Sequence, residues 1–300
     1  MNHHCVRISH IAAAVPAERM DNSDWSDDVA ETVGVRERRT SLHLSSMDLC
    51  LAAARKIGNL DGVDTLLFLS QTAPSVIPAT SCLIHRELGL DTGVMAIDLV
   101  QGCSGYTYGL SIASSLLWGG RRKVLLLCGD TMQRLCRPAD RATQPIFGDA
   151  GSATIIEDGG SSYSDRIAYT VGTDGNGAGN LTLAGDRLAM NGPRVFSFAC
   201  SACQAAMEWS RESGFDVDAV IPHQASGPVI AVMSAMTGRP VIANVEMFGN
   251  TASASIPLAI VTERPHVDKS LLVGFGVGWS WASAYVRTSH CEIHDLVEVG

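Results

Sequence analysis

The stretch Gln101-Gly102-Cys103-Ser104-Gly105-Tyr106 lies between a predicted buried strand, residues 94–100, and a predicted helix, residues 104–118. The helix carries Gly, Ala, Ser and Leu on all sides, which is typical of a helix inside a core. Cys103 is therefore expected at the first turn of this helix, where unpaired N–H groups and the helix dipole favour a thiolate. This stretch alone leaves two interpretations open, a nucleophile and a buried core thiol, because free cysteine is often fully buried.

Short apolar runs and helical patterns alternate along the whole chain. This alternation predicts an α/β protein whose sheets are largely parallel and are closed by antiparallel strands. The predicted strands are residues 65–69, 94–100, 124–128, 153–156, 167–171, 219–222, 271–275 and 281–287. The predicted helices are residues 45–57, 81–88, 104–118, 195–213, 228–236 and 251–261.

The two halves of the chain repeat one pattern. In the second half, residues 245–248 are expected to form a strand that leads through Gly249-Asn250-Thr251 into another small-residue helix. We therefore expect two duplicated domains, residues 1–160 and 161–300, which meet at the polar, Gly/Ser-rich segment 157–162. Duplication would place Cys103 and Asn250 at equivalent helix N-termini that face one cleft.

A third candidate group follows the predicted strand 219–222. His223 lies in the motif Pro222-His223-Gln224-Ala225, just before a helix predicted from Pro228. The carboxyl ends of strands are where α/β sheets collect catalytic groups. A lone histidine at such a place is more often a hydrogen-bonded structural group, but His223 is one of three candidates at strand-to-helix junctions.

The composition argues against several classes of function. The chain of 300 residues is 46% hydrophobic, has a net charge of −9 and contains no basic run, so we expect no nucleic-acid binding. No apolar stretch is long enough for a membrane span, and the first residues lack the apolar region of a signal peptide. The nine cysteines lie mostly in apolar segments, which predicts a reduced, cytoplasmic protein. Cys200 and Cys203 fall inside a predicted helix, so we expect no metal site.

Cys103, His223 and Asn250, in this order and in these motifs, resemble the thiolase superfamily and, more narrowly, the β-ketoacyl-acyl-carrier-protein synthase III family. The resemblance extends over nearly the whole chain. Further matching segments are residues 34–39 (Gly-Val-Arg-Glu-Arg-Arg), 140–149, 190–196 and 274–284. The resemblance implies a thiolase-like fold of two pseudo-duplicated βαβαβαβαββ halves, stacked in five α-β-α-β-α layers.

The resemblance also implies an acyltransferase of the 3-oxoacyl synthase type with no permanently bound cofactor. Cys103 would accept an acyl group from a thioester, and a malonyl-type thioester would then lose CO₂ and condense with that group. His223 and Asn250 would stabilise the enolate as neutral donors. The N–H groups of Cys103 and Val277 would form the oxyanion hole. Val277 stands where the family usually has the middle one of three consecutive glycines.

Three further positions resemble substrate-binding residues of the family. Trp25 and Arg141 resemble the pair that brackets the adenine of coenzyme A, although the spacing around Trp25 differs. Ile77 stands where the family inserts a residue into the partner subunit's acyl pocket, which implies a homodimer. The alternative for Ile77 is a solvent-exposed loop that contains Pro78.

The chain departs from the family where acyl carrier protein docks. Family members commonly have an arginine where this chain has Gly227-Pro228, and a basic residue where it has Thr32-Val33. Carrier protein is acidic, so we expect weakened docking and coenzyme A thioesters as substrates, in a specialised fatty acid or polyketide-type pathway. The alternative function is an acyltransferase that moves the acyl group from Cys103 to an O, N or S nucleophile without decarboxylation.

Overall fold

The computed structural model describes residues 5–23, 25, 27–160 and 167–300. The strands in this part of the chain are β1 (Cys5–Pro16), β2 (Arg19–Asp21), β3 (Glu37–Arg39), β4 (Thr65–Leu69), β5 (Met95–Leu99), β6 (Lys123–Thr131), β7 (Asp149–Gly160), β8 (Ala168–Thr173), β9 (Leu181–Ala184), β10 (Arg187–Met190), β11 (Ala219–Pro222), β12 (Lys269–Gly276), β13 (Ser280–Arg287), β14 (Glu292–Ile293) and β15 (Val297–Val299). The α-helices are α1 (Asp27–Val33), α2 (Ser46–Ile57), α3 (Thr80–Glu87), α4 (Gly105–Trp118), α5 (Gly192–Glu212), α6 (Gly227–Thr237), α7 (Val245–Phe248) and α8 (Ser255–Glu263).

Two mixed sheets form the framework of the molecule. The larger sheet has the order β14-β1-β7-β6-β4-β5, and β15 also pairs with β1. The smaller sheet has the order β11-β12-β13-β8. In each sheet, parallel pairs (β4 with β5 and β6, β11 with β12) are closed by antiparallel strands, as the sequence predicted.

The helices complete five layers. Helices α2 and α3 cover the outer face of the larger sheet, and α4 and α8 contact both sheets from between them. Helix α5 covers the outer face of the smaller sheet, and α6 packs beside α5 in the same hydrophobic cluster. The predicted α-β-α-β-α arrangement is therefore confirmed. Among the helices of the described residues, none combines the length and apolarity that a membrane span needs.

The duplicated pattern survives with one difference. Residues 245–248, which were expected to form a strand, form the one-turn helix α7 instead. The counterpart of β5 in the second half has shrunk to a single parallel bridge between Val241 and Val220. Pro240, which precedes Val241, has no N–H and so cannot donate to a ladder at that position.

The central helix α4 lies close to the larger sheet because two of its residues lack side chains. A Cβ at Gly105 would lie 2.3 Å from a methyl carbon of Leu69, and one at Gly109 would lie 2.8 Å from methyl carbons of Leu126. Both distances are shorter than any normal carbon–carbon contact. The small residues that predicted a core helix are thus what allows the helix to approach the strands.

A buried carboxylate, that of Asp130, joins the two halves of the chain. Asp130, at the end of β6, is fully buried. It accepts hydrogen bonds from the backbone N–H and the hydroxyl of Ser253 at 3.2 and 2.6 Å. It also accepts hydrogen bonds from the backbone N–H of Gln71 and from the hydroxyls of Ser70 and Thr72. The turn after β4 and the turn after α7 are therefore held by one side chain.

Replacing Asp130 should destabilise the fold. In Asp130→Ala, five donors lose their acceptor in a buried place, and we expect the free energy of unfolding to fall by about 3 kcal/mol or more. Urea unfolding followed by circular dichroism measures this change. The matched control is Asp91→Ala, which removes an exposed carboxylate; equal stability of the two variants would contradict the structural role of Asp130.

Candidate active site

The structure brings the three candidate residues into one cavity. Cys103 follows β5, His223 follows β11 and Asn250 follows α7. All three line the same cavity of about 300 Å³ and are at least 94% buried as residues, with exposed fractions of 5%, 1% and 6%. The site therefore lies at strand and helix ends contributed by both halves of the chain.

The thiol of Cys103 differs from what the sequence suggested. Helix α4 begins at Gly105 with Ser104 as its N-cap, so Cys103 precedes the helix and is not in its first turn. Burial raises the pKa of the Cys103 thiol to about 12, and the negative charge of Asp130 raises the pKa further. The expectation of a resting thiolate is therefore wrong, because desolvation outweighs the nearby helix N-terminus.

Two glycines of β12 let the second half touch the nucleophile turn. A Cβ at Gly276 would lie 2.5 Å from the Cβ of Cys103, and one at Gly274 would lie 3.0 Å from the Cα of Ser104. Any side chain at either position would collide with the turn. The end of β12 and the 3₁₀ turn Val277–Trp279 that follows it thus lie directly against Cys103.

His223 is a neutral group with a neutral partner. Its Nδ1 lies 2.7 Å from the hydroxyl of Ser255, the first residue of α8. Burial lowers the pKa of His223 to about 3, so the imidazole carries no charge at neutral pH. Because Ser255 can donate or accept, Nε2 is left free to act as a base or as a donor.

Asn250 is held on both sides by backbone contacts. Its N–H donates to Ile146 at 2.8 Å, and its carbonyl accepts from the Gly148 N–H at 3.0 Å. Its side-chain oxygen accepts from the Ala252 N–H at 2.9 Å, and its amide nitrogen donates to the Ala225 carbonyl at 3.4 Å. The amide NH₂ has two hydrogens, so one remains available to a ligand.

The backbone N–H groups of Cys103 and Val277 take no part in the backbone ladders around the thiol. Among the described turns and loops, neither donates to a backbone carbonyl. The two residues line the cavity together. N–H groups that are not used by the backbone and border a cavity are what an oxyanion hole requires, so this role stays a prediction for Cys103 and Val277.

The rest of the cavity wall is mostly apolar. The hairpin of β9 and β10 contributes Leu181 and Met190, and helix α5 contributes Val195 and Phe198. The ring of Phe198 stacks on Trp279, with centroids 5.5 Å apart and planes 12° apart. An apolar cavity with a few polar groups at one end suits an acyl chain that carries a reactive carbonyl.

The other predicted residues lie outside this cavity. Trp25 is half-buried and Arg141 is exposed, and neither lines the cavity wall as described. The segment before Trp25 is tied to the turn after Arg141, because Asn22 donates to the Pro145 carbonyl at 2.8 Å. Ile77 is 92% exposed in the single chain.

Asn22 and Ser255 were not predicted from the sequence. Asn22 is fully buried and also donates to the Val35 carbonyl at 2.8 Å, so it connects two segments near the cavity mouth. Ser255 orients the ring of His223 across 32 positions of sequence. Neither residue stands in a recognisable motif; a polar residue inside the apolar helix predicted over 251–261 was the only signal for Ser255.

The neutral Cys103–His223 pair predicts a specific pH dependence of thiol reactivity. Between pH 6 and 10 the thiolate fraction of a thiol with a pKa of about 12 rises tenfold per pH unit, while His223, with a pKa of about 3, stays neutral. We therefore expect the logarithm of the iodoacetamide alkylation rate at Cys103 to rise with a slope of about one. Peptide mass spectrometry measures this rate, with exposed Cys82 as an internal control.

A thiolate–imidazolium pair would give another profile. The rate would then reach a plateau between pH 5 and 8, and that plateau would disappear in His223→Ala. Such a result would contradict the neutral pair.

Two family models match the chain. Residues 97–175 match 3-oxoacyl-(acyl-carrier-protein) synthase III, and residues 210–288 match the C-terminal region of the same family. The curated β-ketoacyl-(acyl-carrier-protein) synthase III of Deinococcus deserti is 32% identical over 304 residues, covering 90% of this chain and 85% of that protein. Synthase III 2 of Streptomyces coelicolor is 33% identical, covering 95% and 94%.

Solved structures give the same result. The 3-oxoacyl-(acyl-carrier protein) synthase from Burkholderia xenovorans superposes with a TM-score of 0.92 at 31% identity, covering 98% of this chain and 97% of that one. The priming β-ketosynthase from the R1128 polyketide pathway superposes with a TM-score of 0.84 at 27% identity, covering 95% and 96%. The chain therefore belongs to the 3-oxoacyl-(acyl-carrier-protein) synthase III family of acyltransferases with the thiolase fold.

Proposed function

We propose that the protein catalyses a decarboxylating Claisen condensation that is primed by an acyl thioester and proceeds through an acyl-enzyme at Cys103. The observation that carries this proposal is the placement of Cys103, His223 and Asn250 in one apolar cavity, with His223 held neutral. Two neutral donors beside a nucleophile suit a reaction that develops negative charge on a second substrate. Family membership supports the same reaction class.

The first half-reaction acylates the thiol. Cys103 Sγ attacks the thioester carbonyl while His223 Nε2 takes the thiol proton. The negative charge that develops on the carbonyl oxygen is stabilised by the N–H groups of Cys103 and Val277. The donor thiolate then leaves, takes the proton from His223 and departs as a free thiol, so His223 is neutral again.

The second half-reaction forms the carbon–carbon bond. The carboxylate of a malonyl-type thioester leaves as CO₂, and the electron pair moves to the thioester oxygen as an enolate. His223 must first change tautomer between the half-reactions, losing its Nδ1 proton to solvent and gaining one from solvent at Nε2, so that Ser255 then donates to Nδ1. His223 Nε2–H and the free Asn250 N–H stabilise the enolate oxygen. The enolate carbon attacks the acyl carbonyl, Cys103 leaves as a thiolate, and one proton from solvent restores the thiol.

The apolar cavity favours the loss of CO₂. A carboxylate is costly to desolvate, whereas the negative charge that remains after CO₂ departs lies on an enolate oxygen with two hydrogen-bond donors, so the cavity destabilises the reactant more than the products. The cavity wall contains no cationic side chain among the described lining residues. The malonyl carboxylate would therefore lack an ion-pair partner near the reacting centre.

Asn250→Ala should separate condensation from simple acyl transfer. Removal of one enolate donor is expected to lower the rate of CO₂ release from malonyl-CoA by about 100-fold or more, while Cys103 still becomes acylated. Radiometric CO₂ release together with mass spectrometry of the β-keto product measures both steps, and Asn176→Ala, at an exposed asparagine, is the control. Transfer of the acyl group to an alcohol, amine or thiol without CO₂ release would support the acyltransferase alternative.

Charge around the cavity mouth supports coenzyme A thioesters over acyl carrier protein. Gly34 and Gly227 are so close that a Cβ on either would lie 2.6 Å from the Cα of the other. Gly34 directly follows Thr32-Val33, so the two places where the family has basic residues lie close together. Among the described residues that line the adjoining groove, Asp21, Glu31 and Glu246 are acidic and Arg36 is the single cation. This acidic surface opposes an acidic carrier protein.

A cationic surface lies on another side of the site. Arg134, Arg137 and Arg141 are all exposed within one eight-residue segment. Ile146, five residues after Arg141, lines the catalytic cavity, so this segment leads to the site. Arginines bind phosphate well, so this segment, together with Trp25, is our candidate for the nucleotide part of coenzyme A.

Restoring a positive charge at the mouth should restore carrier-protein use. We expect Thr32→Arg to raise kcat/KM for acyl-carrier-protein substrates by about tenfold through electrostatic steering, with little change for the same acyl-CoA. Thr32→Gln is the matched neutral control, and a rate series in salt separates steering from contact. Efficient use of carrier protein by the unchanged chain would contradict the proposal.

We further propose that the protein is a homodimer formed through β5. This strand is at the end of the larger sheet and pairs only with β4 among the described strands. Large apolar side chains around this edge are exposed in the single chain, namely Val76 (84%), Ile77 (92%), Ile97 (37%) and Val100 (81%). An unpaired apolar edge strand is a template for pairing with a second copy, which would also carry Ile77 towards the partner subunit's cavity.

Ile97→Asp should convert the dimer into a monomer. A charge on the edge strand would be desolvated in the interface, so dissociation is expected at micromolar concentration. Light scattering coupled to gel filtration gives the mass, and Met236→Asp, on exposed apolar surface of α6, is the control. A monomeric unchanged chain would contradict this assembly.

The biological setting that we propose is a specialised fatty acid or polyketide-type pathway in the cytoplasm. The similarity to a priming ketosynthase of a polyketide pathway supports the first part. The eight cysteines whose side chains are described are all free thiols, which suits a reducing compartment.

A further inference from the structure

Two histidines and a glutamate come together at the edge of the larger sheet, where the final residues of the chain return to β1. His10 Nδ1 lies 3.3 Å from His294 Nε2 and 3.5 Å from Glu292 Oε2. One ligand atom from each of the three side chains lies within 4.8 Å of the others. None of the three residues lines the proposed catalytic cavity.

Strand pairing produces this arrangement. The parallel register of β1 and β14 places His10 directly opposite Glu292. His294 stands two residues further on, so strand alternation returns it to the same face as Glu292. Its N–H donates to the Ile11 carbonyl at 2.9 Å, which fixes the segment beside β1. A bulge at Ser9, where β1 has one residue more than β7, precedes His10.

The distances suit a tetrahedral metal ion. Two nitrogens bound to one Zn²⁺ at about 2.0–2.1 Å in tetrahedral geometry lie about 3.3 Å apart, as His10 Nδ1 and His294 Nε2 do. Imidazole and carboxylate ligands together are a known donor set for Zn²⁺. The side chain of His294 is 12% exposed, that of His10 is 31% exposed and that of Glu292 is 65% exposed, so the fourth position would face water.

The cluster also permits an arrangement without an ion, because 3.3 Å between the two nitrogens fits a hydrogen bond between the imidazoles. The carboxylate of Glu292, 3.5 Å from His10 Nδ1, adds the oxygen ligand that a metal ion would use and that this hydrogen bond does not need.

We propose that His10, Glu292 and His294 form a binding site for a divalent transition-metal ion of the Zn²⁺ type, which fastens the C-terminal segment to β1. The family models end at residue 288, so Glu292 and His294 belong to a segment outside the matched region. No metal site was expected from the sequence, because His10 is 284 positions from His294 and the three ligands become neighbours through the β1–β14 pairing.

Equilibrium dialysis against Zn²⁺ alone, followed by elemental analysis, tests the site on the full chain. All samples carry Cys103→Ala so that the cavity thiol does not contribute. We expect one Zn²⁺ per chain, with affinity lowered about tenfold or more in His294→Ala and in Glu292→Gln. Glu292→Gln keeps the size of an exposed side chain, so its fold is expected to persist, and circular dichroism checks this. His266→Ala, at an exposed histidine outside the cluster, is the control.

Hydrogen exchange supplies a second readout. Zn²⁺ should slow exchange in the peptide covering residues 289–300 of the chain with the intact cluster, and should have no such effect in His294→Ala. Three results would overturn the proposal: equal Zn²⁺ binding in His294→Ala, loss of binding only when His3 and His4 are replaced, or equal binding of Mg²⁺. The last would indicate general attraction of cations to the acidic surface, since Mg²⁺ prefers oxygen ligands.

Discussion

The buried carboxylate of Asp130 is the constraint on which the site depends. It belongs to β6 in the first half, yet it holds Ser253, three residues after Asn250, and the turn that contains Gln71. A Cβ at Gly102 would lie 2.2 Å from the side-chain oxygen of Gln71. The turn that contains Gln71 therefore packs directly against the residue before Cys103. One desolvated acid thus fixes the relative positions of the thiol and the amide, which come from different halves of the chain.

Burial sets the electrostatics of the site. It raises the pKa of the Cys103 thiol and lowers that of His223, so both groups rest in their neutral forms. The partner of His223 is the hydroxyl of Ser255 and not a carboxylate, so nothing stabilises a lasting imidazolium. In the proposed reaction the thiol proton would move to His223 only during acyl transfer, and the ring would change tautomer before it donates to the enolate. Ser255 suits both tautomers because its hydroxyl can accept or donate.

Local sequence patterns predicted much of the fold because most strands are short apolar runs bounded by turns. They failed for β1, whose run Ala12-Ala13-Ala14 lacks the β-branched residues that indicate a strand but is fully buried between neighbouring strands. They also failed for α7, where four residues of strand-like composition form one helical turn. Tertiary pairing, not propensity, decides both segments.

The candidate site divides in the same way. Cys103, His223 and Asn250 could be identified because each follows a regular element and stands in a compact motif. Asp130, Ser255 and the His10–Glu292–His294 cluster could not, since their roles arise from contacts across 32 to 284 positions. The raised pKa of Cys103 could not be predicted from the sequence either, because a motif indicates a helix N-terminus but not how deeply the sulfur is buried.

The proposed reaction depends on transfer of the acyl group to the buried, protonated thiol of Cys103. Intact-protein and peptide mass spectrometry after incubation with a panel of acyl-CoAs detects this transfer. We expect one acyl mass per chain, located on the peptide that contains Cys103 and absent from Cys103→Ala. Undiminished acylation of Cys103→Ala would show that another residue accepts the acyl group.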